Sequence, residues 1–88
     1  MNSKKIEKLI ESECPDEIDD ILLAVGFDDA FLGIVKGAGQ ESKACYDYKK
    51  CIDVLMEEGA TREDAVEHFE FNVIGSNVGG YSPVFLFR

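Results

Sequence analysis

The sequence has little of what most site chemistry needs. Histidine occurs once, at His68, and the three cysteines, Cys14, Cys45 and Cys51, are an odd number with no Cys-x-x-Cys pair. No Cys sits at ligand spacing near His68, and an odd cysteine count without a Cys-x-x-Cys pair does not read as a disulfide framework. Free cysteines are most often small buried hydrophobes, and a reactive or bridging thiol is the alternative reading. No positively charged start leads into an apolar run long enough for a signal peptide or a membrane span, so the expected setting is a reducing cytosol. Repeats, low-complexity tracts and flexible linkers are also missing, which leaves a single domain over residues 1–88.

Basic residues are scarce relative to acids. Nine Lys and Arg stand against eighteen Asp and Glu, a net charge of −9, which repels nucleic acid and anionic membrane surfaces. Direct contact with either is not expected. The surplus is uneven, since Glu7, Glu11, Glu13, Asp16, Glu17, Asp19, Asp20, Asp28 and Asp29 are offset within their window only by Lys8. Hydrophobic residues make up 45% of the chain, enough for a globular core rather than a disordered acidic tail. A chain this short buries roughly two-thirds or less of its unfolded surface, so its margin of stability is thin.

Periodicity gives the elements. Ser3 can cap a helix carrying Ile6, Leu9 and Ile10, and Pro15 marks its end or the start of the next. From Asp16 the apolar residues Ile18, Ile21, Leu22 and Val25 recur at helical spacing with Glu17, Asp19 and Asp20 outside, and Gly26 is placed to end that helix. Phe31 to Val35, the turn Gly37-Ala38-Gly39-Gln40 and Lys43 to Tyr48 read as a β-hairpin. In its second strand Ala44, Tyr46 and Tyr48 face one way, Cys45 and Asp47 the other. Asp47 can cap a helix from about Tyr48 to Glu58 with a stripe of Cys51, Ile52, Leu55 and Met56, ended by Gly59. Thr61, with Asp64 three residues on, starts another in which Ala65, Val66, Phe69 and Val73 face inward. The glycines at 75, 79 and 80 break it, and Pro83 to Phe87 reads as a last strand.

The predicted fold is α+β. A small antiparallel three-stranded sheet, the hairpin plus the C-terminal strand, is covered on one face by two N-terminal helices and an antiparallel αα-hairpin. Phe31, Ile34, Val35, Tyr46, Ile52, Leu55, Phe69, Val73, Val84 and Leu86 supply most of the expected core. A tail strand that self-associates would do so through exposed Tyr81, Phe85 and Phe87.

Few constellations point to chemistry. The turn Gly75-Ser76-Asn77-Val78-Gly79-Gly80 could bring backbone N–H groups to an oxyanion, but phosphate loops join a strand to a helix, whereas here a helix ends and a strand begins. It reads as a structural turn. His68 and Asp64 share a helix face, yet two ligands do not make a metal site. Cys45 or Cys51 with His68 could in principle form a nucleophile and base, without any sequence signature for it. No catalytic, cofactor-binding or metal-binding residue is assigned, and an enzyme is not expected.

Carboxylates are the remaining feature. Glu63, Glu67 and Glu70 recur along one side of their helix, as Asp53 and Glu57 do on the preceding one, at a cost of a few tenths of a kcal/mol per like-charged pair. Solvated faces are the ordinary reading. The sharper one takes Asp16, Glu17, Asp19, Asp20, Glu63, Glu67 and Glu70 as a partner-binding surface that imitates nucleic-acid phosphates and occupies a basic groove on another protein.

Tyr46-Asp47-Tyr48-Lys49-Lys50-Cys51-Ile52, the run from Glu63 to Gly75 (EDAVEHFEFNVIG), Val78-Gly79, and Pro83 with the apolar residues after it resemble a family of small phage- and prophage-encoded proteins of uncharacterised role. The resemblance spans Tyr46 to Phe87, and the first 30 residues carry none. The chain departs at Asn77 and Gly80, where relatives often have an aromatic residue and an acid. Phage or mobile-element origin, the cytoplasm of a bacterial host and a host protein with a basic surface as partner are what the resemblance and the charge together imply. Inhibition of a nucleic-acid-handling host system is the expected outcome. A structural or regulatory module that self-associates through its C-terminal strand, giving a homodimer, is the alternative.

Overall fold

In the computed structural model, which describes residues 3–74 and 80–88, the stripe of Ile6 and Ile10 forms the buried side of helix α1 (Ser3–Glu13). Lys4 and Lys5 stand at its N-terminal end and Glu11 and Glu13 at its C-terminal end, the reverse of what the helix dipole favours. Packing of Ile6 and Ile10 must therefore hold this helix. The side chain of Ser3, expected as its cap, lies outside the described residues.

The second N-terminal helix does not form. Pro15–Glu17 makes a single 3-10 turn, residues 18–20 continue as a turn, and residues 21–24 run without regular structure. Of the expected stripe only Ile21 is buried and Ile18 half-buried, while Leu22 and Val25 are exposed at 52% and 92%. Local physics disfavours a helix here. Asp16 faces Asp19 and Asp20 at i+3 and i+4, aspartate is a weak helix former, and a segment this short is marginal without packing. Tertiary partners take the backbone instead: the Leu22 N–H donates to the Tyr81 carbonyl at 3.1 Å, and the Ala24 N–H to the Tyr46 hydroxyl at 2.9 Å. Gly26, at φ +92°, turns the chain rather than capping a helix.

After a 3-10 turn at Asp28–Ala30 the expected hairpin appears, β1 (Phe31–Val35) antiparallel to β2 (Lys43–Asp47), with Phe31 opposite Tyr46 and Val35 opposite Lys43. The last strand, β3 (Val84–Leu86), lies parallel to β2, with Tyr46 opposite Phe85. The sheet is therefore mixed, in the order β1-β2-β3, and not antiparallel throughout. The chain length explains the difference. Residues 48–83 with their helices form the long crossover that a parallel neighbour requires. As the central strand, β2 buries Ala44, Cys45, Tyr46 and Asp47 alike, so its alternation does not separate a wet face from a dry one.

Asp47 links sheet and helix. Its Oδ1 accepts from the Lys49 and Lys50 N–H groups at 3.0 and 3.4 Å and caps α2 (Tyr48–Glu57), while its Oδ2 meets the Arg88 guanidinium at 2.8 Å. Cys51, Ile52 and Leu55 of α2 are buried, but Met56 is exposed. Gly59, at φ +108°, ends the helix, and the Thr61 hydroxyl accepts from the Asp64 N–H at 3.2 Å to start α3 (Arg62–Phe69). A π turn, Glu70–Ile74, prolongs α3. The glycine-rich turn over residues 75–79 lies outside the described residues.

The core centres on Tyr46 and Phe69, both fully buried. Phe69 meets Phe27 at 5.5 Å, Tyr48 at 5.5 Å and Phe85 at 4.9 Å edge to face, and Tyr46 meets Phe31 at 5.6 Å, arrangements that favour aromatic pairs. Three expectations are corrected. Val35 and Leu86 are exposed rather than core, Phe85 is partly buried against the core cluster rather than exposed, and Ile34, Val73 and Val84 are only partly buried. Phe87 is exposed as expected, although its ring stacks on Tyr48 at 4.1 Å. No helix among the described residues is long and apolar enough to cross a membrane.

The hydrogen bonds and nearby charge of Arg88, with the two N–H donors of α2, outweigh burial and hold the Asp47 carboxyl below the usual carboxylate range. A carboxyl so lowered stabilises the fold fully above the unfolded value of about 3.9, and that stability is lost as pH falls through the lower folded value. Asp47→Ala is expected to cost about 0.5–2 kcal/mol at neutral pH through the lost cap alone. In denaturant unfolding the gap between parent and variant should narrow once pH falls below about 4.

Candidate acidic interface

The seven carboxylates expected at a partner surface fall into two sets. Asp16, Asp19 and Asp20 are exposed on and just after the 3-10 turn, and Glu63 and Glu67 are exposed along α3. Glu70, at the first position of the π turn, is exposed but close enough to the Tyr48 phenol to raise its pKa, secondary to burial. Glu17 departs from the expectation of a free surface acid. It is half-buried, and its carboxylate accepts from the Ser42 N–H at 2.9 Å and the Ser42 hydroxyl at 3.2 Å, fastening the 3-10 turn to the start of β2.

Folding adds a carboxylate that spacing along the chain could not reveal. Burial raises the Tyr81 phenol pKa, and Glu17, Asp20 and Glu41 raise it further through their charge. Glu41 comes from the hairpin loop, and its carboxylate carbon lies 2.7 Å from where a Cβ on Gly80 would stand. The charge of three acids, two from the 17–20 segment and one from the hairpin loop, is thus felt at one tyrosine. Only the sheet topology, which returns residues 80–88 to β2, brings them together.

Two grooves adjoin these sets. Asp64, Glu67, His68, Phe71 and Asn72 line the first, so the predicted sharing of one face by Asp64 and His68 is realised. Leu22, Leu23, Val25, Phe27, Val73 and Pro83 line much of the second, a cavity of about 350 Å³, and Asn72 borders both. The exposed side chains Leu22, Val25 and Phe71 (75% exposed) all sit on these rims. None of them was marked by the sequence as a surface feature, because Leu22 and Val25 fit a helical core stripe.

The remaining chemistry is quiet. All three cysteines are free and buried. Burial, with some help from Asp47, pushes the Cys51 thiol up to about 12 and raises Cys45 for the same reasons, which leaves little thiolate for nucleophilic attack. His68 is exposed, with its Nδ1 3.2 Å from the Asn72 side-chain nitrogen, whereas Cys51 is fully buried. Among the described residues no group of three or more His, Cys, Asp and Glu side chains could hold a metal ion. No protein-family model, curated protein or solved structure matches the chain.

Glu17 and its neighbours should behave differently on substitution. Glu17→Ala strands the fully buried Ser42 N–H and hydroxyl, and is expected to cost about 1–3 kcal/mol in denaturant unfolding. Asp16→Asn and Asp19→Asn, at exposed positions, should stay within about 0.5 kcal/mol of the parent.

Proposed function

We propose that the chain is a small, acidic, non-catalytic binding protein of phage or mobile-element origin. In the cytoplasm of a bacterial host it binds and inhibits a nucleic-acid-handling protein by presenting carboxylates where that protein expects phosphates. The observation that carries this reading is the exposure of Asp16, Asp19, Asp20, Glu63 and Glu67 on a chain of net charge −9. Such a surface draws a basic groove by long-range attraction and repels nucleic acid itself. The origin rests on the resemblance carried by Tyr46 to Phe87.

A second reading has one observation in its favour. Strand β3 is an edge of the sheet, and its last residue Leu86 and the following Phe87 are exposed, so a second copy could pair there. Two copies each carrying −9 repel one another, and the acidic interface is preferred for that reason.

The test reverses Asp16, Asp19 and Asp20 to Lys and leaves Glu17 in place, so that the Ser42 contact survives. Capture of a basic nucleic-acid-binding protein from host lysate should succeed at low salt, weaken at high salt and fall sharply with the variant. A variant that melts like the parent and captures the same protein equally well would overturn the role of this segment. A dimer that light scattering shows to persist at low salt and to dissociate when residues 83–88 are removed would favour the second reading.

A further inference from the structure

The exposed apolar rim beside the carboxylates is unexplained by charge alone. Val25 is almost fully exposed, Leu22 is half-exposed, and both open onto the groove that Phe27, Val73 and Pro83 complete. On one side Asn72 joins this groove to the one lined by Asp64 and Glu67. On another, the Leu22 N–H is bonded to the Tyr81 carbonyl, the Glu41 carboxylate lies against the adjacent Gly80, and the charge of Glu17, Asp20 and Glu41 raises the Tyr81 phenol pKa further than burial does alone. No lysine or arginine among the described residues lines either groove. An apolar floor with carboxylates at both ends is the complement of a cationic segment that carries a large apolar side chain.

We propose that this groove is the anchor point of the interface, and that its occupant is an amphipathic basic segment of the partner whose apolar side chain enters between the 22–25 segment and the π turn. The inference rests on the acidic-surface reading and adds to it the place and the apolar component of the contact. A second copy of the chain is a poor occupant, since it would bring nine more negative charges to a rim of carboxylates. Nucleic acid is excluded by the same repulsion. Carboxylates steer and orient the partner, and the buried apolar side chain supplies the slow dissociation that charge on an exposed rim does not.

The test uses two fluorescent peptides of equal positive charge, an amphipathic leucine-lysine peptide and an oligolysine, titrated with the parent and with Val25→Asp and Leu22→Asp at low ionic strength. The parent should bind the leucine-lysine peptide about tenfold or more tightly than oligolysine, the effect of burying one apolar side chain. Each variant adds a negative charge, so attraction by charge alone would strengthen binding of both peptides. The groove predicts the opposite for one of them: leucine-lysine binding should fall to the oligolysine level, with oligolysine binding unweakened. If the variants bind the leucine-lysine peptide as well as or better than the parent, the groove is not the anchor, and the acidic reading survives on its oligolysine binding. If neither peptide binds the parent, the acidic reading falls and this inference falls with it.

Discussion

The hydroxyl of Tyr46 is the contact on which the rest of the arrangement depends. Tyr46 lies on the central strand, fully buried, and its hydroxyl accepts the Ala24 N–H at 2.9 Å. That bond gives a partner to a backbone donor that no helix supplies, in a segment whose sequence would otherwise compete to become one. The ring extends the same role to the neighbouring strands, edge to face with Phe31 on β1 and tilted against Phe85 on β3. Through Phe85 and Phe69 the aromatic set reaches α3 and Phe27. One side chain thus ties the sheet, the final strand and the irregular 21–24 segment together, and that segment forms a wall of the apolar groove.

Burial also makes this tyrosine chemically inert. Its phenol pKa is raised by desolvation, opposed in part by the Ala24 hydrogen bond and added to by the charge of Asp28. The Cys45 and Cys51 thiols share that fate. The cysteines are drawn into the core, while carboxylates outnumber lysines and arginines among the charged groups that remain accessible. Apolar residues also stay outside in the 22–25 segment, which gives up helical periodicity to satisfy its backbone against Tyr46 and Tyr81. The exposed Leu22 and Val25 and the missing second helix have one cause.

Elements decided by local physics were legible in the sequence. The hairpin, the Asp47 and Thr61 caps and the ends of α2 follow from residues within a few positions of one another. What was not legible depends on bonds between distant residues: Leu22 to Tyr81, Ser42 to Glu17, Arg88 to Asp47. Helical spacing of Ile18, Ile21, Leu22 and Val25 gave the wrong element, because periodicity cannot register a competing tertiary acceptor. The direction of β3 was misjudged similarly, since nothing within Val84–Leu86 distinguishes a parallel from an antiparallel neighbour. Of the candidate interface, the exposed acids were visible as charge, whereas the structural role of Glu17 and the arrival of Glu41 beside Tyr81 required the fold.

The most direct test of this account is amide hydrogen exchange on the parent and on Tyr46→Phe, which keeps the ring and removes only the hydroxyl. The parent should protect the Ala24 amide. The variant should lose about 1–3 kcal/mol of stability, the cost of an unpaired buried donor, with Ala24 exchanging faster by a larger factor than the Leu55 amide within α2. A variant that melts with the parent and protects Ala24 equally well would show that the 21–24 segment is held by something other than Tyr46.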